Sequence, residues 1–143
     1  MSEEFDQFQA WLMEMDDAIS AFRRTLPKAI SDKLDFSAGS LGVLEKLILD
    51  TYPDVAAAKA PAESRRLDGM ARYLGEVFRK HFGGKWKIDH SDRKNAFYGV
   101  PQLAGMKSQN VQFCPLALVT ASTQRRTGSF FSKLFENYQR DAA

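Results

Sequence analysis

Apolar residues in the first part of the chain recur at alternating steps of three and four, which is the spacing of one face of an α-helix. This stripe consists of Phe5, Phe8, Leu12, Met15, Ile19, Phe22 and Leu26. It predicts one long helix that ends at Pro27. A helix lying across a globular core and a coiled-coil seam between two copies give the same pattern. A homodimer through this N-terminal helix is therefore one of two interpretations.

Two further helices are predicted in the next part of the chain. The first begins near Ser37, whose hydroxyl suits an N-cap, and it ends near Pro53. The alanine- and proline-rich segment 53–63 is typical of a linker, and it is too short to separate two domains. In the following helix, Gly69 and Gly75 each cost on the order of 1 kcal/mol relative to alanine, so they predict a close helix crossing. The apolar stripe of that helix is Leu67, Met70, Ala71, Leu74, Val77, Phe78 and Phe82.

The hydrophobic period changes from helical to alternating after Gly83 and Gly84. Three strands are predicted, at residues 85–90, 96–103 and 110–114, and their short connections favour an antiparallel meander. Two helices follow, one starting at Pro115 and one near Thr127. The predicted fold is α+β, with three N-terminal helices, a three-stranded antiparallel sheet and two C-terminal helices in a single domain, residues 1–143.

The composition is that of an ordinary globular protein, with 44% hydrophobic and 27% charged residues among 143. A chain of this length buries enough surface to fold without a disulfide or a metal. Eleven phenylalanines predict a core rich in aromatic rings. We expect Leu74, Phe78, Trp86 and Phe113 to lie in or near that core.

The sequence also bears on location. Its one cysteine cannot form an internal disulfide, and the amino terminus carries acidic residues where a signal peptide has a basic region and an apolar run. No apolar stretch approaches the roughly 18 residues of a membrane span. We therefore expect a cytoplasmic protein without a membrane partner.

The segment Gly83-Gly84-Lys85 raises the question of a phosphate-binding loop. Such a loop lies between a strand and the start of a helix and carries Ser or Thr after its lysine. Here the glycines follow a helix and precede a strand, and Trp86 follows the lysine. The pattern instead indicates that Gly83 adopts the left-handed conformation that ends a helix.

Two residues keep a small-molecule-binding or catalytic domain open as an alternative. Cys114 precedes a predicted helix but lies in an apolar setting, and only His81 and His90 could serve as its imidazole base. Glu76 lies in mid-helix among basic residues, where it is either part of an exposed salt-bridge face or a carboxylate that completes a polar site beside Trp86.

The two histidines lack the close spacing of metal-ligand pairs, although Asp89 and Asp92 flank His90. A solvated turn explains this segment more simply than a divalent cation does. We predict no metal, no cofactor and no catalytic residue.

Nucleic-acid binding is a third hypothesis. Rings at Phe97, Tyr98 and Phe113 fall on predicted strands where bases could stack. The net charge of only +2 and the lack of a recognition-helix or RNP-like motif argue against a continuous phosphate track. The basic pairs behind this hypothesis are Arg23-Arg24, Arg65-Arg66, Arg79-Lys80, Arg93-Lys94 and Arg125-Arg126.

The leading hypothesis is a non-catalytic module that binds a protein partner. Residues 1–20 hold six acidic and no basic residues, whereas residues 79–94 are rich in Lys and Arg, and such opposed charges attract one another within one molecule or between two copies. The polar face of the third helix is expected to continue into the first strand as one charged surface, with a tyrosine as its anchor. The predicted partner-binding residues are Arg72, Tyr73, Glu76, Arg79, Lys80, Lys85 and Lys87.

Three segments carry a resemblance to known proteins: LDFSAGSLGVLEKL at 34–47, YLGEVFRKHFGGKW at 73–86 and CPLALV at 114–119. Together they resemble a group of small bacterial cytoplasmic proteins of unknown function, which share a Y-L-G-E helix and a Gly-Gly-x-Trp turn. The resemblance implies a bacterial origin and an α+β fold, and it brings no catalytic residues. Because such proteins are sometimes neighbours of toxin systems, it also suggests an immunity or accessory role, with a toxin or a neighbouring gene product as partner.

Overall fold

Helices make up most of the described chain, residues 3–142, in the computed structural model. A two-stranded antiparallel sheet completes an α+β arrangement that is mainly helical. No helix among these residues is both long and apolar enough to cross a membrane. In chain order the elements are α1 (Glu3–Met13), α2 (Met15–Arg24), α3 (Lys28–Ser31), α4 (Ser40–Thr51), α5 (Val55–Ala58), a 3-10 turn (Pro61–Glu63), α6 (Ser64–Phe82), β1 (Lys85–Lys87), β2 (Gln102–Ala104), α7 (Pro115–Arg125) and α8 (Phe130–Ala142).

The centre of the fold is α6, around which α2, α4 and α7 pack. Twelve of its nineteen residues are buried, so neighbours cover it on nearly every side. Phe78 meets the rings of Phe113 and Phe135 at centroid distances of 4.7 and 5.5 Å. The predicted aromatic core is therefore confirmed, since Leu74, Phe78 and Phe113 are buried and Trp86 packs against the core from its edge.

The prediction of one long N-terminal helix is wrong. Glu14, with φ −88° and ψ 4°, separates α1 from α2. The buried stripe of α2, which includes Ile19 and Phe22, faces the core, whereas Phe5 on α1 is 40% exposed. The break lets α1 place Trp11 against Trp86, at a centroid distance of 5.0 Å. The α2 half of the apolar stripe therefore packs in the core, whereas α1 brings Trp11 to the edge of the sheet.

Gly69 lies where α2 crosses α6, as the sequence predicts. A Cβ atom at Gly69 would lie 2.6 Å from Cβ of Phe22, which is closer than real Cβ contacts allow. At Gly75 the atom would overlap the Trp86 ring. Both glycines therefore admit a large side chain against the backbone of α6. Gly75 also lies against Pro115, the first residue of α7, whose Cγ would be 3.0 Å from the added Cβ.

The linker at 53–63 contains more structure than its composition indicates. Its α5 begins after Asp54, whose carboxylate accepts the Ala57 N–H at 2.8 Å. Ala58 is fully buried in the core. Segment 53–63 is therefore a packed connection in which small side chains approach α7 closely.

Two side chains tie helix ends together across the fold. The buried carboxylate of Glu45 accepts the backbone N–H groups of Phe130 and Phe131, at 3.1 and 2.8 Å, at the start of α8. Arg126, just after α7, donates to the carbonyl oxygens of Leu49 and Tyr52 at the end of α4, at 3.0 and 2.9 Å. Both contacts satisfy backbone groups that a helix end leaves unpaired. Thr127, the predicted start of the last helix, lies three residues before α8 begins.

The sheet has two strands instead of the predicted three. Lys85 pairs with Ala104, Trp86 with Leu103 and Lys87 with Gln102. Of the predicted third strand, 110–114, only a bridge between Leu103 and Phe113 forms. The physical reason lies in Gln109, whose side-chain amide donates to the Leu103 carbonyl oxygen at 2.9 Å and so occupies the edge of β2.

The predicted strands at 85–90 and 96–103 are also shorter than expected. Asp89 accepts hydrogen bonds from the Asn95 side chain at 2.8 Å and from the Ser91 N–H at 2.8 Å, and these bonds fold the chain into a turn. They hold the pKa of the Asp89 carboxyl below its ordinary value, with the Asn95 bond the largest cause. Residues 88–101 consequently form a loop between β1 and β2.

Gly83 ends α6, as predicted, with φ +78°. Gly84 follows with φ +93°, and a Cβ there would lie 2.9 Å from the Ala104 carbonyl oxygen. The pair therefore turns the chain from α6 into β1, with Gly84 pressed against β2.

We expect Gly69→Ala to lower the free energy of unfolding by about 1–2 kcal/mol, because the clash with Phe22 outweighs the gain in helix propensity. Gly42→Ala in α4 is the matched control. Its Cβ would meet only Ser132 Oγ at 4.0 Å, so this change should raise the free energy of unfolding by about 0.5 kcal/mol. Urea denaturation measures both free energies of unfolding. Equal changes in the two variants would contradict a close crossing of α2 and α6 at Gly69.

Glu45→Ala should lower the free energy of unfolding by about 2–3 kcal/mol, because two N–H groups of α8 lose their acceptor in a buried setting. Glu45→Gln keeps one side-chain acceptor and should cost less. The neighbouring exposed Lys46→Ala should change stability by no more than about 0.5 kcal/mol. A loss at Glu45 as small as at Lys46 in urea denaturation would refute the role of this carboxylate as a cap.

Candidate functional site

The predicted partner surface is divided by burial. Arg72, Tyr73 and Glu76 are only 3%, 0% and 4% exposed, so the expectation that they form part of an exposed charged face is wrong. The reason is that α6 is covered on the side that the sequence pattern marks as polar. These three residues instead make contacts inside the protein.

Arg72 links α6 to α1. Its Nε donates to Asp68 Oδ2 at 2.7 Å and its Nη1 donates to the Trp11 carbonyl oxygen at 2.7 Å. The Trp11 indole N–H donates to the other oxygen of Asp68 at 2.9 Å, and the guanidinium lies 4.2 Å from the ring centroid of Trp11. This cluster neutralises a buried charge while holding α1 against α6.

Glu76 is likewise occupied. Arg79 donates to both of its carboxylate oxygens, at 2.6 and 3.1 Å, and the Trp86 indole N–H donates to Oε2 at 3.1 Å. This pairing joins α6 to β1. Glu76 thus forms an ion pair and also lies beside Trp86, so the arrangement combines both interpretations from the sequence. Glu76 is buried, whereas Arg79 is partly exposed.

Tyr73 also makes interior contacts and cannot anchor a partner. Its hydroxyl donates to Ser40 Oγ at 2.7 Å and accepts the Phe36 N–H at 2.9 Å, and its ring stacks on Phe36. Burial raises the pKa of Tyr73. The predicted N-cap Ser37 lies three residues before Ser40, the first residue of α4, and its hydroxyl accepts the Ser40 N–H at 3.3 Å.

The remaining predicted residues do lie at the surface. Lys80, Lys85 and Lys87 are exposed, and Arg79 is partly exposed. The Lys80 ammonium lies 5.1 Å from the Phe36 ring centroid. Partner binding by these four residues remains a prediction.

Cys114 is 2% exposed, and its thiol faces the Pro101 carbonyl oxygen at 3.7 Å. Burial raises the pKa of this thiol, which disfavours the nucleophilic thiolate. His81 contacts the Val77 carbonyl oxygen and the Phe135 ring, and His90 contacts Tyr98. Within residues 3–142 no imidazole is hydrogen-bonded to the thiol.

The aspartates beside His90 do not assemble a metal centre. Asp89 is engaged by the turn of its own loop, and among residues 3–142 no group of three or more His, Cys, Asp or Glu side chains is placed to hold an ion. Nδ1 of His90 lies 3.9 Å from Oε2 of Glu4 on α1.

The features behind the nucleic-acid hypothesis are dispersed. Phe113 is buried, and Tyr98 lies in a loop under Arg93 instead of on a strand. Arg23 donates to the Ser31 carbonyl oxygen, and Arg126 is committed to the end of α4. The predicted stacking platform on a sheet face is therefore not formed.

A concavity of about 680 Å³ lies between α2 and α6. Phe22 packs at Gly69 and the charge of Asp16 acts on Arg79, so the two helices run antiparallel. Small side chains and charged rims line this groove, which we call the α2–α6 groove. Its lining is Glu14, Asp17, Ala18, Ala21, Phe22, Thr25, Ala62, Glu63, Arg65, Arg66, Asp68 and Arg72.

Charges in the α2–α6 groove are separated along its length. Glu14 and Asp17 lie at the start of α2, whereas Arg65 and Arg66 lie at the start of α6, at the opposite end. Arg66 is 3.3 Å from Glu63, but Glu14, Asp17 and Arg65 form no ion pair among the described residues. In the sequence, the small residues Ala18 and Ala21 on α2 are the feature that could have indicated this groove. They form one wall of it only because α2 packs on α6.

Comparisons with protein-family models, with curated proteins and with solved structures found no match for the chain. The assignment of function therefore rests on the residues and their geometry.

Alkylation tests the environment of Cys114. With iodoacetamide at pH 8, the native protein should react at least ~100-fold more slowly than the urea-unfolded protein, because burial raises the thiol pKa and blocks access. A cysteine placed at exposed Ala96 in a Cys114→Ala background is the control and should react at nearly the unfolded rate. Fast modification of native Cys114 would restore the nucleophile hypothesis.

Proposed function

We propose that this chain is a non-catalytic module that binds a protein partner, and that one helix of the partner lies in the α2–α6 groove. The observation that carries this proposal is the groove itself, a channel of about 680 Å³ with a floor of small residues. Glu14 and Asp17 lie at one end, and Arg65 and Arg66 lie beside Glu63 at the other.

The dimensions of the groove support a helix as its occupant. The lining from Glu14 to Thr25 covers about three turns, or roughly 17 Å at 1.5 Å per residue. Ala18 and Ala21 present only methyl groups, so a third helix can approach to the usual 8–10 Å between axes.

The charges support a particular partner. A helix with Lys or Arg near the Glu14 and Asp17 end, and with Asp or Glu near the Arg65 and Arg66 end, would be oriented by both. Such complementarity contributes more to specificity and association rate than to affinity. The mixture of acids and bases in the groove also favours a protein over a nucleic acid, whose phosphates would be repelled by the acidic end.

The alternative of a catalytic site at Glu76 or Cys114 has weaker support. Both oxygens of Glu76 are engaged by Arg79, and Cys114 is a buried thiol with a raised pKa. The resemblance to small bacterial proteins supports a bacterial, cytoplasmic setting. In that setting the partner is a toxin or a neighbouring gene product, and the role is that of an immunity or accessory protein.

Filling the groove should weaken partner binding. Ala21 is exposed, so Ala21→Trp should leave the unfolding free energy within about 0.5 kcal/mol of the original while weakening the complex at least ~10-fold, equivalent to about 1.4 kcal/mol. A photo-crosslinking residue at position 21, introduced in the source cells, identifies the partner and the contacted segment, and titration then gives the dissociation constants.

The matched control is Ala29→Trp on α3, another exposed alanine outside the groove, which should leave the dissociation constant unchanged. Equal affinity of the Ala21→Trp and original proteins for the crosslinked partner would eliminate the groove as the site. A crosslink from position 21 to a second copy of this chain would replace the heterologous partner with a homodimer.

A further inference from the structure

A pocket of about 160 Å³ lies where α1, the start of α6, β1 and the start of α7 meet. It lies beside the α2–α6 groove, and Asp68 lines both. The two tryptophans of the chain both contribute to its wall, and each is only half-buried, so part of each indole remains open. Its mainly apolar lining includes Trp11, Leu67, Ala71, Trp86, Pro115 and Leu116.

The two indole rings form walls that are already fixed. Their planes are inclined at 75° and their centroids are 5.0 Å apart. The Trp11 indole N–H donates to Asp68 at 2.9 Å, and the Trp86 indole N–H donates to Glu76 at 3.1 Å. Trp86 also lies against α6 at Gly75, where a Cβ atom would overlap the ring. A ligand therefore does not have to order either ring, which removes one of the usual entropic costs of binding.

The charges beside the pocket favour an uncharged ligand. Among the described residues that line it, Asp68 alone carries a charge, and its two oxygens accept hydrogen bonds from Trp11 and Arg72. The Arg72 guanidinium lies 4.2 Å from the Trp11 ring centroid, so a second cation beside that ring would be repelled. Because the Asp68–Arg72 pair is neutral, neither an ammonium nor a carboxylate gains an uncompensated partner for the water that it loses.

The size of the pocket suits one ring. An apolar cavity of about 150 Å³ accepts benzene. Sites for drug-sized molecules, by contrast, run from roughly 300 Å³ upward. Aromatic rings prefer edge-to-face and offset-stacked contacts with one another, and two steeply inclined indoles offer both kinds of contact.

We propose that this pocket binds a small uncharged aromatic molecule. Its ring lies against Trp11 and Trp86, and the rest of its surface is covered by Leu67, Ala71 and Leu116. Since Trp11 belongs to α1 and Trp86 to β1, the ligand joins these two elements and stabilises the docking of α1.

Nuclear magnetic resonance of the intact chain tests the proposal, because its two indole N–H groups both belong to the pocket. The probes are benzyl alcohol, cyclohexylmethanol, benzylammonium and benzoate, which are similar in size and differ in aromaticity or charge. Benzyl alcohol should shift both indole N–H resonances saturably at millimolar concentrations. Cyclohexylmethanol, which has no π system, should bind about 2- to 10-fold more weakly. The two charged probes should bind at least ~10-fold more weakly than benzyl alcohol.

A matched pair of variants locates the effect. Ser64 is exposed and lines the pocket, so Ser64→Leu should fill the pocket without disturbing the core and weaken benzyl alcohol binding at least ~10-fold. Ser20→Leu, at an exposed position on α2 that lines neither the pocket nor the groove, is the control and should leave the dissociation constant unchanged. The spectrum of each variant also shows whether it is folded.

Three results with the original protein would overturn the proposal: no saturable shift with benzyl alcohol, equal binding of cyclohexylmethanol, or tighter binding of either charged probe. Unchanged binding in a folded Ser64→Leu protein would also overturn it, because the ring would then lie elsewhere. Ala21 lines the α2–α6 groove but not this pocket, so Ala21→Trp should leave benzyl alcohol binding intact. Failure of the groove proposal and failure of this one are therefore separable.

Discussion

The burial of α6 on nearly all sides is the constraint on which the rest of the structure depends. A helix that is covered on all sides usually carries apolar residues on every face. α6 instead carries the polar residues Arg72, Tyr73 and Glu76 on one buried face. Buried polar groups must be paired, since an unpaired one costs on the order of 1–3 kcal/mol or more. Each of the three therefore specifies which element lies against it: α1 at Arg72, the start of α4 at Tyr73 and β1 at Glu76.

Polar side chains also find specific partners at the ends of the helices. Glu45 and Arg126 satisfy backbone groups at the start of α8 and the end of α4. These contacts join segments about 80 residues apart in the chain, and they use charged groups where only backbone dipoles are available as partners. These contacts hold α4, α7 and α8 together without a disulfide.

Open surface is consequently left where these contacts are not made. On the α2 side, small residues and unpaired charges remain outside the contact with α6 and form the α2–α6 groove. On the sheet, the two strands expose one face, because Gln109 closes the edge of β2 before a third strand can extend it.

Local rules read from the sequence were sufficient for several features. The aromatic core follows from helical spacing around Phe78, the end of α6 follows from the left-handed preference of Gly83, and the close crossing follows from Gly69, because each depends on neighbours in the chain or on residue size alone. The break at Glu14, the missing third strand and the burial of Arg72, Tyr73 and Glu76 were decided by tertiary structure. Periodicity shows which residues share a face, but it cannot show how many faces of a helix other elements will cover. The pairing of a buried charge, the occupation of a strand edge by a glutamine and the meeting of two helices in one groove all depend on residues distant in sequence, and only the packed structure brings them together.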